Sequence, residues 1–215
     1  METIAALHSM EEPRMLKAFL ENCKRPQGGF GRLILRGMNN GHGPVAGWAF
    51  DRMEWPVNGR ILDIGCGGGG NIARLLRRLP GCRVDGVDYS GESVAVSRRV
   101  NARQADRCRV VRGDVMALPF ADASYDAALA VETVYFWPDL TAGLREAARV
   151  LRPGGALLVV TEMSDPQKGA VWSHNCPGMT IYTPAQLRAA LEAAGFSVTV
   201  YTKGVWTAAV GQKQN

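Results

Sequence analysis

From Arg60 onward, short apolar runs alternate with stretches in which apolar residues recur every three or four positions. The first pattern predicts strands and the second predicts amphipathic helices. Read in order, they give a strand to Ile64, a helix from Asn71 to Leu79, a strand from Arg83 to Asp88 and a helix from Gly91 to Arg103. Strands at Arg107 to Arg112 and Tyr125 to Val131 follow, then a helix from Leu140 to Leu151 that Pro153-Gly154-Gly155 stops. The run Ala156-Leu157-Leu158-Val159-Val160 has no polar alternation and ends near Glu162, as expected for a strand covered on both faces. Alternation of this kind specifies a mainly parallel sheet flanked by helices.

The flanks read differently. Met10 to Cys23 carries Met15, Leu16, Phe19 and Leu20 at helical spacing, and Pro26-Gln27-Gly28-Gly29 ends that pattern. Phe30 to Trp55 mixes glycines with Trp48, Phe50 and Trp55, and its Val45 to Met53 portion suits a short helix. Glycine hinges beside aromatic surface suggest a mobile lid that closes over a ligand cleft, with His42 pointing inward; the bland alternative is a static cap. After the apolar strand, Met163 to Tyr182 is loop-rich. Thr183 and Pro184 then open a helix as N-cap and first helical residue, and Gly195 closes it. Strands Ser197 to Thr202 and Val205 to Val210, joined at Lys203-Gly204, predict an antiparallel hairpin at one side of the sheet. Residues 1–215 are thus expected to form one domain: an entry lid or cap over 1–58, a core over 59–162, and the remaining sheet with an acceptor-side loop over 163–215.

The chemistry starts where the first strand runs into glycine. Leu62-Asp63-Ile64-Gly65-Cys66-Gly67-Gly68-Gly69-Gly70 joins a buried-looking strand to a helix start, a place where backbone can approach a ligand closely. Gly65, Gly67 and Gly70 satisfy a dinucleotide spacing, while Gly65, Gly67 and Gly69 satisfy G-x-G-x-G. Asp88, at the end of the second strand, can accept ribose hydroxyls in either class. These residues therefore indicate an adenosine-containing cofactor without choosing one.

Composition adds bounds. The chain is 47% hydrophobic and 21% charged, which fits a globular domain rather than a disordered one. No apolar stretch reaches membrane-spanning length and Met1-Glu2-Thr3-Ile4 lacks a signal-peptide start, so the expectation is a cytoplasmic protein with no membrane insertion. The five cysteines are scattered without metal-ligand spacing, so no metal site and reduced thiols are expected. A formal charge of +5 raises a nucleic-acid partner, but Arg74, Arg77 and Arg78 lie opposite Ile72, Leu75 and Leu79 as a solvated helix face would. That disfavours nucleic acid.

Taken together, the Leu62 to Gly69 motif, Asp88-Tyr89-Ser90, Gly113-Asp114 with Leu118-Pro119-Phe120, Ser124-Tyr125-Asp126 and Val150-Leu151-Arg152-Pro153-Gly154-Gly155 resemble the class I, seven-strand S-adenosylmethionine-dependent methyltransferases. Within that class the chain is similar to the small-molecule group related to the ubiquinone and menaquinone biosynthesis C-methyltransferases. The resemblance covers Arg60 to Glu162 and, less fully, the terminal hairpin. It implies an α/β fold, a Rossmann-like three-layer sandwich with a mostly parallel seven-stranded sheet and a C-terminal antiparallel hairpin. It also implies S-adenosyl-L-methionine as cofactor. Asp63 would hold the methionine ammonium with Gly65, Cys66, Gly67 and Gly69 around the turn, and Asp88, Tyr89 and Ser90 would serve the ribose. Asp114, Val115 and Met116 would surround the adenine, and Val131 would end the strand beneath the reacting methyl.

Val131-Glu132-Thr133-Val134-Tyr135-Phe136-Trp137-Pro138 departs from the Asn-Pro-Pro-Tyr type motif of enzymes that methylate nucleobase amines. His42, Glu132 and Tyr135 are the candidate catalytic groups, since His and a buried carboxylate can accept a proton near neutral pH. Trp48, Trp137 and His174 are the candidate acceptor contacts. The expected activity is methyl transfer to a small, partly apolar acceptor by a monomer or homodimer. The alternatives are an RNA or protein methyltransferase, an NAD-dependent oxidoreductase and a non-catalytic nucleoside-binding regulator.

Overall fold

The computed structural model describes residues 27–176 and 178–214. The helix expected over Met10 to Cys23 lies outside the described residues. The elements are α1 (Gly28–Gly41), α2 (Gly43–Phe50), β1 (Arg60–Ile64), α3 (Gly70–Arg78), β2 (Arg83–Asp88), α4 (Gly91–Val100), β3 (Val110–Arg112), β4 (Tyr125–Val131), α5 (Leu140–Val150), β5 (Leu151–Thr161), α6 (Ala170–Asn175), α7 (Pro184–Ala193), β6 (Phe196–Lys203) and β7 (Trp206–Lys213). Seven strands form one sheet in the order β3-β2-β1-β4-β5-β7-β6. β1 to β5 are parallel, and β7 runs antiparallel to both β5 and β6. The order reverses between β1 and β4, the place where an open α/β sheet leaves a crevice beyond its strand C-termini.

Both faces of the central strands are dry, which explains their unbroken apolar runs. Leu129 of β4 and Leu158 and Val160 of β5 pack with Val45, Phe50, Ile72, Leu75 and Val94 from α2, α3 and α4. Their neighbours Ala128, Ala130, Leu157 and Val159 pack with Leu144, Val150, Leu187 and Leu191 from α5 and α7. Each strand therefore feeds two cores through its period of two. α7 begins as the sequence predicts: Thr183 accepts from the Gln186 N–H and Gln186 returns a bond to the Thr183 N–H, a full capping box behind Pro184.

Two boundaries moved. β5 starts at Leu151, directly after α5, because Leu151 pairs with Tyr125 before the register slips and resumes at Ala156 opposite Ala127. Gly154 supplies the positive φ of 71° for this bulge, and Arg152 ion-pairs with Asp126 across it. β3 is shorter than expected, although the Arg107 and Arg109 carbonyls still accept from the Val84 and Gly86 N–H groups of β2, and Arg107 has a second task. Its guanidinium binds the carbonyls of Leu76, Leu79, Pro80 and Cys82, tying the end of α3 to the start of β2.

The glycine-rich entry segment is the main difference. Its residues form two helices, and Val45, Ala46, Ala49 and Phe50 of α2 are at most 2% exposed within the core. Gly47 sits inside α2 and Gly37 inside α1 with ordinary helical backbone, so neither acts as a turn. Helical glycine costs about 1 kcal/mol against alanine, less than burial of several apolar side chains returns. The α2 half packs into the core as a cap would. Its Val45 to Phe50 amides should therefore resist hydrogen exchange in the ligand-free protein as strongly as those of β4 and β5; rapid exchange there would overturn this assignment.

Candidate functional site

The turn after β1 is built on positive φ at Gly65 (74°), Gly67 (50°) and Gly69 (77°). Two of these positions are also crowded. A Cβ on Gly65 would stand 2.2 Å from Thr133 Oγ1, and one on Gly69 would stand 2.4 Å from Ser97 Oγ. The turn hangs on β2, since the Gly65 and Cys66 N–H groups both donate to the Val87 carbonyl at 2.8 and 3.0 Å. Asp88 completes the tie: one carboxylate oxygen accepts from Gly67 N–H and the other from Ser90 N–H, each at 2.8 Å. Burial raises the Asp88 carboxyl, and those two N–H bonds work against the rise. Each oxygen keeps a second lone pair for a ribose hydroxyl. Ser90 also caps α4 by accepting from Ser93 N–H.

Asp63, one residue from the end of β1, is 1% exposed, and neither of its carboxylate oxygens has a hydrogen-bond partner among the described residues. Burial pushes its pKa up to about 8, with Asp88 adding repulsion. An unpaired buried carboxylate is costly and calls for a group that brings both N–H donors and positive charge. The ammonium of an amino-acid portion meets that requirement. Cys66 behaves differently: its thiol lies against Gly86 and Ser97, and burial pushes it well above the usual thiol range, so the side chain packs inward.

Beside the turn lies a cleft of about 380 Å³ lined by Ile64, Gly65, Asp88, Tyr89, Gly113, Asp114, Val115, Thr133, Phe136, Trp137 and Pro138 among others. Asp114 accepts from the Met116 N–H at 2.9 Å, an Asx turn that leaves its second oxygen available. Met116 is half-buried and outside the lining, whereas Val115 belongs to it. Tyr89 is exposed with the Arg112 guanidinium over its ring. Trp137 is held by Gly143, where a Cβ would meet its ring at 2.6 Å, and its Nε1 lies 3.4 Å from Thr133 Oγ1. Val131 is buried in the core below.

At the same rim, three parts of the chain bring acids and a histidine together. Glu132 follows β4 at φ 59°, a left-handed conformation rare for a non-glycine residue. One of its oxygens accepts from the Glu162 N–H and faces the Tyr135 hydroxyl at 3.3 Å. Tyr135 is fixed in turn by the Met163 main chain, at 3.0 Å from N–H to hydroxyl. His42, between α1 and α2, places Nδ1 2.9 Å from Glu162 and 3.9 Å from Glu132. Burial, with Glu162 nearby, pushes Glu132 up to about 8, and burial beside Glu132 also raises Tyr135.

A methyltransferase domain model matches residues 62–159, the span from β1 to β5 that carries the turn and the cleft. Over this span the chain is similar to methyltransferases. Such enzymes draw the methyl group from S-adenosylmethionine, and the orphaned Asp63 carboxylate has the chemistry that an ammonium group requires. The chain is 42% identical over 138 residues to a ubiquinone/menaquinone biosynthesis C-methyltransferase of Paracoccus denitrificans, covering 60% of this chain and 53% of that protein. It is 38% identical to a demethylmenaquinone methyltransferase of Thermus thermophilus, covering 52% of this chain and 50% of the relative. The chain thus spans about half the length of these curated relatives. A chain from the complex between the Haloferax volcanii Trm112 methyltransferase activator and a putative methyltransferase superposes with a TM-score of 0.76 at 23% identity, over 84% of this chain and 94% of that one, a likeness of fold.

Two expected acceptor contacts of the domain lie elsewhere. Trp48 packs on Trp206 at 6.0 Å between ring centroids, under the Arg52 guanidinium and outside the cleft lining. Its helix turns toward β5 and β7 because Val45 and Ala49 claim the core. His174 is exposed on α6 and outside the lining too. Sequence reading left out Glu162, Thr133 and Phe136. The signal for Glu162 was present, an acid directly after an all-apolar strand, as Glu132 follows another.

Asp63 and Glu132 give a pH signature of unusual sign. Free carboxyls titrate near 4, whereas these folded ones titrate at about 8. Between those values the native protein holds protons that the unfolded chain releases, so stability of the ligand-free protein should fall as pH rises from about 4 to about 8, by at most roughly 1.4 kcal/mol per unit per group. Asp63→Asn should remove its share of the slope and stabilise the free protein at pH 8. Denaturant titration across this range checks both; an unchanged slope in the variant would refute the Asp63 assignment.

Proposed function

We propose that this chain transfers a methyl group from S-adenosylmethionine to a small, partly apolar acceptor. The observation that carries the reading is the buried, unpartnered carboxylate of Asp63, which directly precedes Ile64 and Gly65 in the wall of a cleft that continues past Asp88 to Asp114. Three acids in that order suit an ammonium, a ribose and an adenine amino group, a set that a nicotinamide dinucleotide would leave partly unused. The Phe136, Trp137 and Pro138 wall supports an acceptor with apolar surface, as do the quinone-related names of the relatives. When bound, the cofactor supplies an electrophilic methyl on a cationic sulfur; the protein's part is to hold the acceptor in line and keep water away.

Support for a small acceptor over RNA or protein comes from the arginines. Arg107 is spent on main-chain carbonyls, Arg149 on Glu146, Asp122 and two carbonyls, Arg78 on Asp51 and Arg98 on the Val110 carbonyl. A basic face so engaged within its own fold offers less to a phosphate backbone. Among the described residues no helix is long and apolar enough to cross a membrane. We read the chain as one cytoplasmic domain that works as a monomer or homodimer.

S-adenosylmethionine or S-adenosylhomocysteine at a hundred times its dissociation constant should stabilise the protein by about 2.7 kcal/mol, seen as a raised Tm, while NAD should not. Asp63→Asn should fold but lose most of that shift. Equal shifts with NAD would sink the reading.

A further inference from the structure

We propose that Glu162 is a positioning residue that turns His42 into the proton acceptor of the reaction, and that the acceptor is a neutral molecule attacking through a weakly acidic hydroxyl, phenolic or enolic. This rests on the methyltransferase reading and deepens it by naming the acceptor class.

The geometry is specific. His42 Nδ1 lies 2.9 Å from Glu162 Oε2, so Nδ1 carries the proton and donates it to the carboxylate. Nε2 is left as the basic nitrogen, and it has no hydrogen-bond partner among the described residues. The ring is 29% exposed, open enough to be reached by an acceptor yet held at one edge. Glu162 follows β5 and Glu132 follows β4, so the sheet itself sets the spacing of the carboxylates around the ring. Glu132 is fixed by the Glu162 N–H and by Tyr135, which the Met163 main chain holds. Among the described residues, the charged and titratable groups near His42 are Glu162 and Glu132, with Tyr135 behind Glu132 and the Arg74 guanidinium against Gly43, the next residue in the chain. Thr133, next to Glu132, closes on Gly65 and lines the cleft, which places this cluster beside the turn that Asp63 precedes.

Charge movement explains why two acids should flank one imidazole. The acceptor's O–H proton passes to Nε2, its oxygen forms the new bond to the methyl carbon, and the carbon–sulfur pair remains on sulfur as a neutral thioether. Positive charge thus leaves the sulfur and appears on His42, between Glu162 and Glu132, where it is stabilised. An acceptor bearing no proton on its attacking atom has no use for this arrangement. The Phe136 and Trp137 wall suits the flat ring or enol that makes a hydroxyl acidic enough to be methylated.

The decisive experiment reads the histidine directly. In protein labelled with ¹⁵N-histidine and saturated with S-adenosylhomocysteine, His42, assigned by its loss in His42→Gln, should show a protonated Nδ1 and a bare Nε2 when the ring is neutral. Glu162→Gln should shift that ring toward the Nε2–H tautomer while leaving the Tm response to S-adenosylhomocysteine intact. With labelled S-adenosylmethionine and a probe set of a hydroquinone, a simple phenol, a primary amine and a thiol, transfer should reach the hydroxyl probes. Glu162→Gln should lower kcat by roughly ten- to a hundredfold and His42→Gln by on the order of 10²–10⁴, with KM for the cofactor unchanged. Glu162→Asp should recover part of the loss. An unchanged tautomer and turnover in Glu162→Gln would overturn the positioning role. Transfer to the amine or thiol alone would overturn the acceptor class, and activity that requires an added divalent cation would reassign the three side chains as metal ligands. Failure of the native protein to respond to S-adenosylhomocysteine at all would instead bring down the methyltransferase reading beneath.

Discussion

A carboxylate kept out of water with nothing to bond is the interaction on which the rest of this structure depends. Asp63 can be held there only because β1 is central, with β2 and β4 on either side and helices on both faces. A carboxylate at a mobile edge would turn toward solvent and lose its affinity for a cation. The glycine turn, its attachment to Val87 and the Asp88 bonds to Gly67 and Ser90 all fix what surrounds this one charge. Binding here therefore reads as repair of a deficit built into the apo fold.

The sheet was legible in the sequence because its strands are dry on both faces. Ala156 to Val160 could be nothing else once Pro153-Gly154-Gly155 and Glu162 bounded it, and the hairpin at Lys203-Gly204 announced the antiparallel side. Strand order and the slip between Tyr125 and Ala127 were not legible, since they depend on which edges meet. In the entry segment glycine was counted as a hinge, yet Gly37 and Gly47 lie within helices. Burial of Val45, Ala46, Ala49 and Phe50 outweighs local propensity, and propensity is all that a glycine tally measures.

For the site, the residues nearest the turn were readable, since Asp63, Gly65 and Asp88 are fixed by a short stretch of chain and the strand beside it. His42 and Glu132 could be named as proton acceptors but not joined, because 90 residues separate them and only the sheet brings them together. Glu162 escaped because an acid after one strand is a weak signal until it is set beside Glu132, which follows the neighbouring strand. Trp48 and His174 show the opposite limit, a suitable residue type set outside the cleft lining, Trp48 against Trp206 and His174 on an exposed helix.

The place of β7 has a consequence for how the molecule is made. β7 follows β6 in the chain but inserts between β5 and β6, so β5 has a bare edge until the strand synthesised after every other described one arrives. Thr207 of that strand pairs with Thr161 and bonds Ser164 at 2.8 Å, next to Glu162 and Met163. A nascent chain lacking these residues exposes an apolar strand edge, the kind of surface that chaperones shield and that aggregates grow from. The rim bearing Glu162 is thus among the last of the described parts to be secured.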